Sequence, residues 1–306
     1  MIFIVKTFQW GNCRKPACTI LFDWVISGAL EWFTKLARFL KELREFVDRR
    51  FAETVVSRGP GAREDKNMTR RAIVTGASRG IGKAIARRLA EEGWDIVNLD
   101  MGEPSEDAVG QWVAADLADP DSLETALAEI LKDGPVSGLV NNAGIGTSSL
   151  LEETTDEDFD RIVAVNMRAP MICARAVVPG MKAEGFGRIV NISSRAHLGK
   201  THRTAYSASK GGILSMGRVW ALEMAGNGIT VNTIAPGPIR TELFERVNPP
   251  GMPRTQEIID SMPVGRLGEP ADIANAVAFY MDDRSSFVTG QTLYVCGGIT
   301  LSRGGN

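Results

Sequence analysis

Cysteine is scarce: the 306 residues contain four, Cys13, Cys18, Cys173 and Cys296, scattered rather than spaced in pairs. That pattern excludes a disulfide framework and a paired zinc-ligand motif, and it points to a reducing, cytoplasmic setting. Histidine is scarcer still. His197 and His202 are the only two, and with no cysteine or carboxylate close by in the sequence they imply no metal site. Neither charge is in excess, since 35 Lys and Arg face 37 Asp and Glu for a formal net charge of −2. Without a strong positive field, nucleic acid is a poor partner and a small molecule a better one. Long apolar runs are also missing. The stretch at 19–30 is interrupted by Asp23, and the first residues lack the basic flank of an export signal, so neither a membrane span nor a signal peptide is expected.

What is present divides at about residue 67. Residues 1–67 hold 12 basic and 8 acidic side chains, against an acidic remainder. Within them Phe22, Val25, Ala29, Phe33, Leu36, Leu40, Leu43 and Val47 recur at steps of three and four, so 21–51 is expected to form one amphipathic helix, its apolar face widened by Trp24, Trp32, Phe39 and Phe46. Gly59-Pro60-Gly61 ends it. Two readings are open for this N-terminal extension: a helix that docks on a membrane surface or a partner, or a misplaced start upstream of a true start at Met68.

From Ala72 onward short apolar runs alternate with helical patterns. Strands are expected at 72–74, 96–99, 112–114, 139–140, 189–192, 230–234 and 293–295, with helices at 81–92, 122–131, 159–165, 171–183, 206–225 and 271–281. Unbroken apolar strands separated by helices imply a parallel sheet covered on both faces. The expected architecture is therefore one α/β domain over 68–306, a doubly wound Rossmann fold with a seven-stranded parallel sheet.

The first strand runs into Thr75-Gly76-Ala77-Ser78-Arg79-Gly80-Ile81-Gly82 and then directly into a helix. Gly76 permits the tight turn, Gly80 lets backbone approach a pyrophosphate, and Gly82 allows close helix packing, with the phosphates at the positive helix end. Eighteen residues beyond Gly82, Asp100 closes the second strand, where a carboxylate can accept both hydroxyls of an adenosine ribose. That favours NAD as cofactor. Arg79 argues partly for NADP, because a guanidinium there can pair with a 2′-phosphate.

Further on, Tyr206-Ser207-Ala208-Ser209-Lys210 sets a phenol and an ammonium one helical turn apart, on one face. An isolated tyrosine with a pKa near 10 exchanges protons too slowly at neutral pH, and a cation beside it favours the phenolate. Lys210 is expected to supply that charge and an oxidised nicotinamide to add to it, making Tyr206 a general base for alcohol oxidation and a general acid for ketone reduction.

The glycine motif and the chain that follows it resemble the short-chain dehydrogenase/reductase family. The resemblance implies that Gly76, Ser78, Arg79, Gly80, Ile81, Gly82 and Asp100 bind the cofactor and that Asp116-Leu117 contacts its adenine. It also implies that Asn142, Ala143 and Gly144, after Asn141, close the fourth strand over the cofactor. For Asp116 a helix cap near Asp119-Pro120 is the structural alternative; for the Asn pair it is an ordinary turn. Pro236-Gly237-Pro238-Ile239-Arg240-Thr241 resembles the family's loop at the nicotinamide end, with backbone contacts from Ile239 and a hydroxyl from Thr241. The catalytic set implied is Asn166, Ser194, Tyr206 and Lys210, with Ser193 left open beside Ser194 and Asn166 holding a water that links the lysine to solvent. A helix irregularity is the plain alternative for Asn166.

Between Ser194 and Tyr206 lie both histidines and three permanent cations, Arg195, Lys200 and Arg203. Either the loop is simply solvated, or some of these groups face the substrate and favour an anionic or hydroxyl-rich carbonyl compound such as a sugar acid or an acyl-carrier thioester. Residues 242–263, rich in Pro and Met, are expected to form a mobile lid. The expectation is an NAD(P)-dependent enzyme interconverting a secondary alcohol and a ketone, by resemblance a homotetramer. A dinucleotide-sensing regulator on the same fold is the alternative, but the Tyr/Lys pair counts against it.

Overall fold

The computed structural model describes Arg38, Lys41 and residues 70–301. By internal contacts the chain divides into Met1–Asn67 and Met68–Asn306. Arg38 and Lys41 are helical; the rest of the expected 21–51 helix lies outside the described residues.

Seven strands, β1 (Arg71–Thr75), β2 (Asp95–Asp100), β3 (Gln111–Ala114), β4 (Gly138–Asn141), β5 (Gly187–Ile192), β6 (Ile229–Pro236) and β7 (Thr292–Val295), form one sheet in the order β3-β2-β1-β4-β5-β6-β7. All pairings are parallel. The sheet is the one expected, with β6 reaching two residues further than its apolar run because Ala235 and Pro236 stay paired to Tyr294 and Val295.

Side chains alternate across each strand, so Ile73 faces one way and Ala72 and Val74 the other. One face packs α2 (Pro120–Lys132), α4 (Ala169–Glu184) and α5 (Thr204–Met224) on Ile73, Leu99, Leu139, Ile189 and Val231. The opposite face packs α1 (Gly80–Glu91) and α8 (Pro270–Met281) on Val74, Ile96, Val140, Val190 and Ile234. Both α2 and α8 begin earlier than the apolar pattern suggests, because Pro120 and Pro270 occupy the first turn, where a missing N–H costs nothing.

The helical stretch Asp156–Glu184 is long and apolar enough to cross a membrane by composition, but here Cys173, Val177 and Met181 are at most 1% exposed against the sheet. It comprises α3 (Asp156–Val163), a π turn at Ala164–Arg168, and α4. The Pro/Met-rich segment expected as a lid folds into two short helices, α6 (Glu242–Val247) and α7 (Pro253–Asp260).

The chain leaves β1 toward β2 and β3, then returns to place β4 on the other side of β1. The strand order thus reverses between β1 and β4, and the crevice beyond their carboxyl ends is where this architecture takes ligands. Thr75, Asp100, Asn141 and the residues after Ile192 all lie at this edge.

Candidate active site

At the crevice, the turn from β1 into α1 needs its glycines. Gly76 and Gly80 have φ of 68° and 55°, in the left-handed region that side chains avoid. A Cβ on Gly82 would lie 2.1 Å from the Gly76 carbonyl oxygen and 2.5 Å from Asn142 Nδ2, so only glycine lets α1 approach the turn. Arg79 precedes α1 in extended backbone without a side-chain cap, which leaves the first N–H groups of the helix for an anion.

Asn142 secures this turn from β4: its Nδ2 donates to the Thr75 and Gly76 carbonyls at 2.9 and 3.2 Å. Thr75 Oγ1 in turn accepts from the backbone N–H of Asn142 and of Ala143, both at 3.0 Å. Asn98, buried in β2, accepts from Ala77 N at 3.1 Å and donates to Ser78 Oγ at 3.1 Å. The roles of the Thr75 hydroxyl and of Asn98 are not among those expected from the sequence. Their signal was a polar residue inside an otherwise apolar strand run.

The Asp100 carboxylate accepts from Ser78 N at 3.1 Å and from Gly102 N at 3.2 Å. It is thereby fixed at the end of β2 with lone pairs to spare, as a ribose diol would require. Asp116 is not the cap of α2. That role falls to Asp119, which accepts from Asp121 N at 3.0 Å, while Asp116 is exposed and turns back to accept from Ala118 N at 2.9 Å. Leu117 packs partly buried against the core. Across the crevice, Gly237 N donates to Val295 O at 2.9 Å, Ile239 is buried, and Thr241 caps α6 by accepting from Phe244 N at 3.2 Å. The Thr241 hydroxyl keeps its hydrogen to donate. A cradle that only glycine permits, uncapped helix N–H groups and a positioned carboxylate at the strand end together fit a dinucleotide.

Ser194, Tyr206, Lys210 and Asn166 come together beside this cradle. Lys210 is buried and donates from Nζ to Ile192 O at 2.8 Å. Gly144 sits so close that a Cβ there would lie 3.0 Å from Lys210 Nζ and 3.3 Å from Asn166 Oδ1. Gly146 likewise leaves room for the Tyr206 ring, which a Cβ would meet at 2.7 Å.

Asn166 lies in the π turn, the irregularity its position suggested, and such turns recur at functional sites. Its side chain accepts from Ile145 N and donates to Ile145 O and Ser209 Oγ, each at 2.9 Å. It therefore ties the segment after β4 to α5. Of the two serines, Ser193 is buried and donates to Lys210 O at 2.6 Å, which occupies it in holding β5 to α5. Ser194 instead accepts from Ala196 N at 3.1 Å, and its hydroxyl is near enough to the Tyr206 phenol to favour the phenolate.

The electrostatic expectation for Tyr206 needs correction. Burial raises its pKa, with only partial opposition from the Ser194 hydrogen bond and the charge of Arg203. Lys210 does not lead this balance: its ammonium sits 5.8 Å from the ring centroid, and burial pulls its own pKa down to about 8. Helical spacing gives proximity, whereas the dielectric around the pair is set by tertiary packing.

The segment after Ser194 is structured rather than a plain loop. A short 3₁₀ turn spans Arg195–Leu198, and the His197 ring shares a hydrogen bond of 2.7 Å with the Tyr294 hydroxyl. Among the described residues no three His, Cys, Asp or Glu are placed to hold a metal.

The profile of a family described as enoyl-(acyl carrier protein) reductase matches residues 76–300. The (2S)-[(R)-hydroxy(phenyl)methyl]succinyl-CoA dehydrogenase subunit BbsD of Thauera aromatica is 38% identical over 248 residues, 78% of this chain and 99% of that protein. The chain belongs to the short-chain dehydrogenase/reductase family.

Other members agree. The 3-oxoacyl-[acyl-carrier-protein] reductase FabG of Haemophilus influenzae is 38% identical over 76% of this chain and 98% of its own. The crystal structure of a putative NAD(P)-dependent gluconate 5-dehydrogenase from Beutenbergia cavernae, with NADP bound, superposes with a TM-score of 0.72 at 34% identity, covering 76% of this chain and 97% of that one. As a short-chain dehydrogenase/reductase, the chain is an NAD(P)-dependent oxidoreductase that interconverts a secondary alcohol and a ketone, on a Rossmann-type sheet shared with these relatives.

Proposed function

We propose that Tyr206 is the general acid and base of this oxidoreductase, that Ser194, Lys210 and Asn166 position the reacting groups around it, and that NAD is the preferred cofactor. When bound, the nicotinamide gives or takes the hydride. The observation that carries the reading is the convergence of Ser194 and Lys210 on Tyr206 beside a glycine cradle, on elements fixed by the sheet.

Tyr206 Oη passes its proton to the substrate oxygen in reduction and takes it back in oxidation. Ser194 Oγ, held by Ala196 N, orients that oxygen toward Tyr206. Lys210, fixed by Ile192 O, presents its ammonium toward the cofactor side near Gly144. Asn166 acts through Ile145 and Ser209 rather than on substrate. The glycine turn, with Asn142 behind it, would hold the pyrophosphate of a bound dinucleotide at the α1 N-terminus, and Pro236, Gly237, Ile239 and Thr241 would contact its nicotinamide half.

Asp100 supports the NAD preference, because a 2′-phosphate beside it would meet a fixed carboxylate. Arg79 is exposed with no acidic partner among the described residues, and it offers a weaker, mobile attraction to that phosphate. Replacing Asp100 by Asn is expected to shift the NAD-to-NADP ratio of kcat/KM at least about tenfold toward NADP. An unchanged ratio refutes the assignment.

The same reading includes substrates of the classes for which the relatives are named, acyl thioesters and sugar acids. It also includes a homotetramer, for which exposed apolar side chains on α5 (Val219, Leu222) and around β7 (Phe287, Leu293) supply surface. Free, buried Cys173 and Cys296 suit a reducing, cytoplasmic setting.

A further inference from the structure

We infer that the mouth of the catalytic pocket is a cationic rim built for a substrate carrying two or more negative charges, with Arg195, Lys200, Arg203 and Arg254 as its specificity-determining residues. The inference rests on the placement of Tyr206 as the proton-transferring group.

The rim begins where the reacting hydroxyls are. Residues 195–203 connect Ser194 to α5 and are pinned to the segment after β4: Ser149 N donates to His202 O at 3.2 Å, and Arg203 Nη1 donates to Thr147 O at 2.9 Å. His202 takes φ of 62°, the one described non-glycine residue in the left-handed region, a conformation that persists where surrounding contacts impose it. These contacts set the Arg203 guanidinium 5.9 Å from the centroid of the Tyr206 ring.

Around that anchor gather like charges. Loss of solvent leads in disfavouring the Lys200 ammonium, and the like charges of Arg203, Arg195 and, from α7, Arg254 add to it. No carboxylate of the described residues lies within ion-pair distance of any of the four, although eleven ion pairs form elsewhere among those residues. His197, in the same segment, is turned to Tyr294 and takes no part. Cations that repel one another without a counter-charge raise the local potential and draw anions to the cleft. Two arginines that flank Lys200 in sequence and a third from α7 suit phosphate or carboxylate oxygens better than a single neutral hydroxyl. With four cations and no carboxylate of the described residues in ion-pair reach, a multiply charged substrate is matched better than a monoanion.

The test uses the full chain with cofactor and three carbonyl probes. Acetoacetyl-CoA and acetoacetyl-N-acetylcysteamine share a reacting group and differ in phosphates, while 5-ketogluconate carries one carboxylate. In the double variant Lys200→Gln, Arg254→Gln, the ratio of kcat/KM for the CoA thioester to that for the uncharged thioester is expected to fall about tenfold, and its decline with added salt to flatten. Calorimetric binding of acetoacetyl-CoA to Tyr206→Phe protein, with and without the two rim substitutions, reads the rim without turnover, and about tenfold weaker binding is expected there too. An unchanged ratio and unchanged affinity, or a loss confined to 5-ketogluconate, overturns the inference. If instead Tyr206→Phe retains turnover while the rim substitutions weaken binding, the proton-transfer role fails and the rim stands.

Discussion

Replacing Lys210 by Met should make the cofactor-free protein more stable at neutral pH while destroying its chemistry. Lys210 is buried, and its ammonium is held down from 10.5 to about 8 by loss of solvent. At 1.36 kcal/mol per pKa unit, folding with the charge intact costs about 3 kcal/mol. Met fills a similar volume without charge, but it cannot donate to Ile192 O, now bonded at 2.8 Å. An orphaned buried carbonyl returns about 1–2 kcal/mol of that gain. The variant should therefore be more stable by about 1–2 kcal/mol near pH 7.

The sign changes with pH. Because the folded-state pKa is depressed, the unfolded chain binds the extra proton between about 8 and 10.5, so the wild type gains stability as pH rises through that window and the Met variant does not. Urea unfolding at neutral and strongly alkaline pH should show the variant ahead first and level or behind afterwards. A stability gap that ignores pH, or a variant less stable throughout, would refute a burial-depressed ammonium at this position.

Two further outcomes follow from the site. Gly82→Ala drives a methyl group to 2.1 Å from the Gly76 carbonyl, so it should cost about 1–3 kcal/mol of stability and weaken nucleotide binding in a fluorescence titration. Gly226→Ala, with open space around its Cβ, serves as the neutral control. Since burial holds the Tyr206 phenol above its ordinary value, kcat/KM for ketone reduction should stay flat through neutral pH and fall only in alkali, while alcohol oxidation rises with pH. A reduction profile that falls near neutrality would count against a protonated resting phenol.

The sheet was legible because fully buried parallel strands must be largely apolar, and runs such as Ala72 to Val74 announce themselves. The glycine turn was legible for a related reason: Gly76, Gly80 and Gly82 answer to separate steric demands within eight residues. What stayed hidden depends on tertiary contact. Asn98 and Thr75 look like interruptions in strands until the turn they stabilise is folded beside them. The π turn at Asn166 has no period of its own to detect. The choice between Ser193 and Ser194 rests on which hydroxyl α5 captures, and the direction in which the Tyr206 and Lys210 pKa values move rests on how deeply each is buried. Within the segment expected as a lid, the two short helices escape the apolar pattern because Thr241 caps the first and Pro253 opens the second.

The proposed proton transfer depends on the phenol of Tyr206, so Tyr206→Phe is decisive when turnover and NADH binding are measured on the same preparation. Loss of about 10²- to 10⁴-fold in kcat with unchanged NADH affinity is the predicted result; turnover within a few-fold of the wild type, with cofactor still bound, would contradict it.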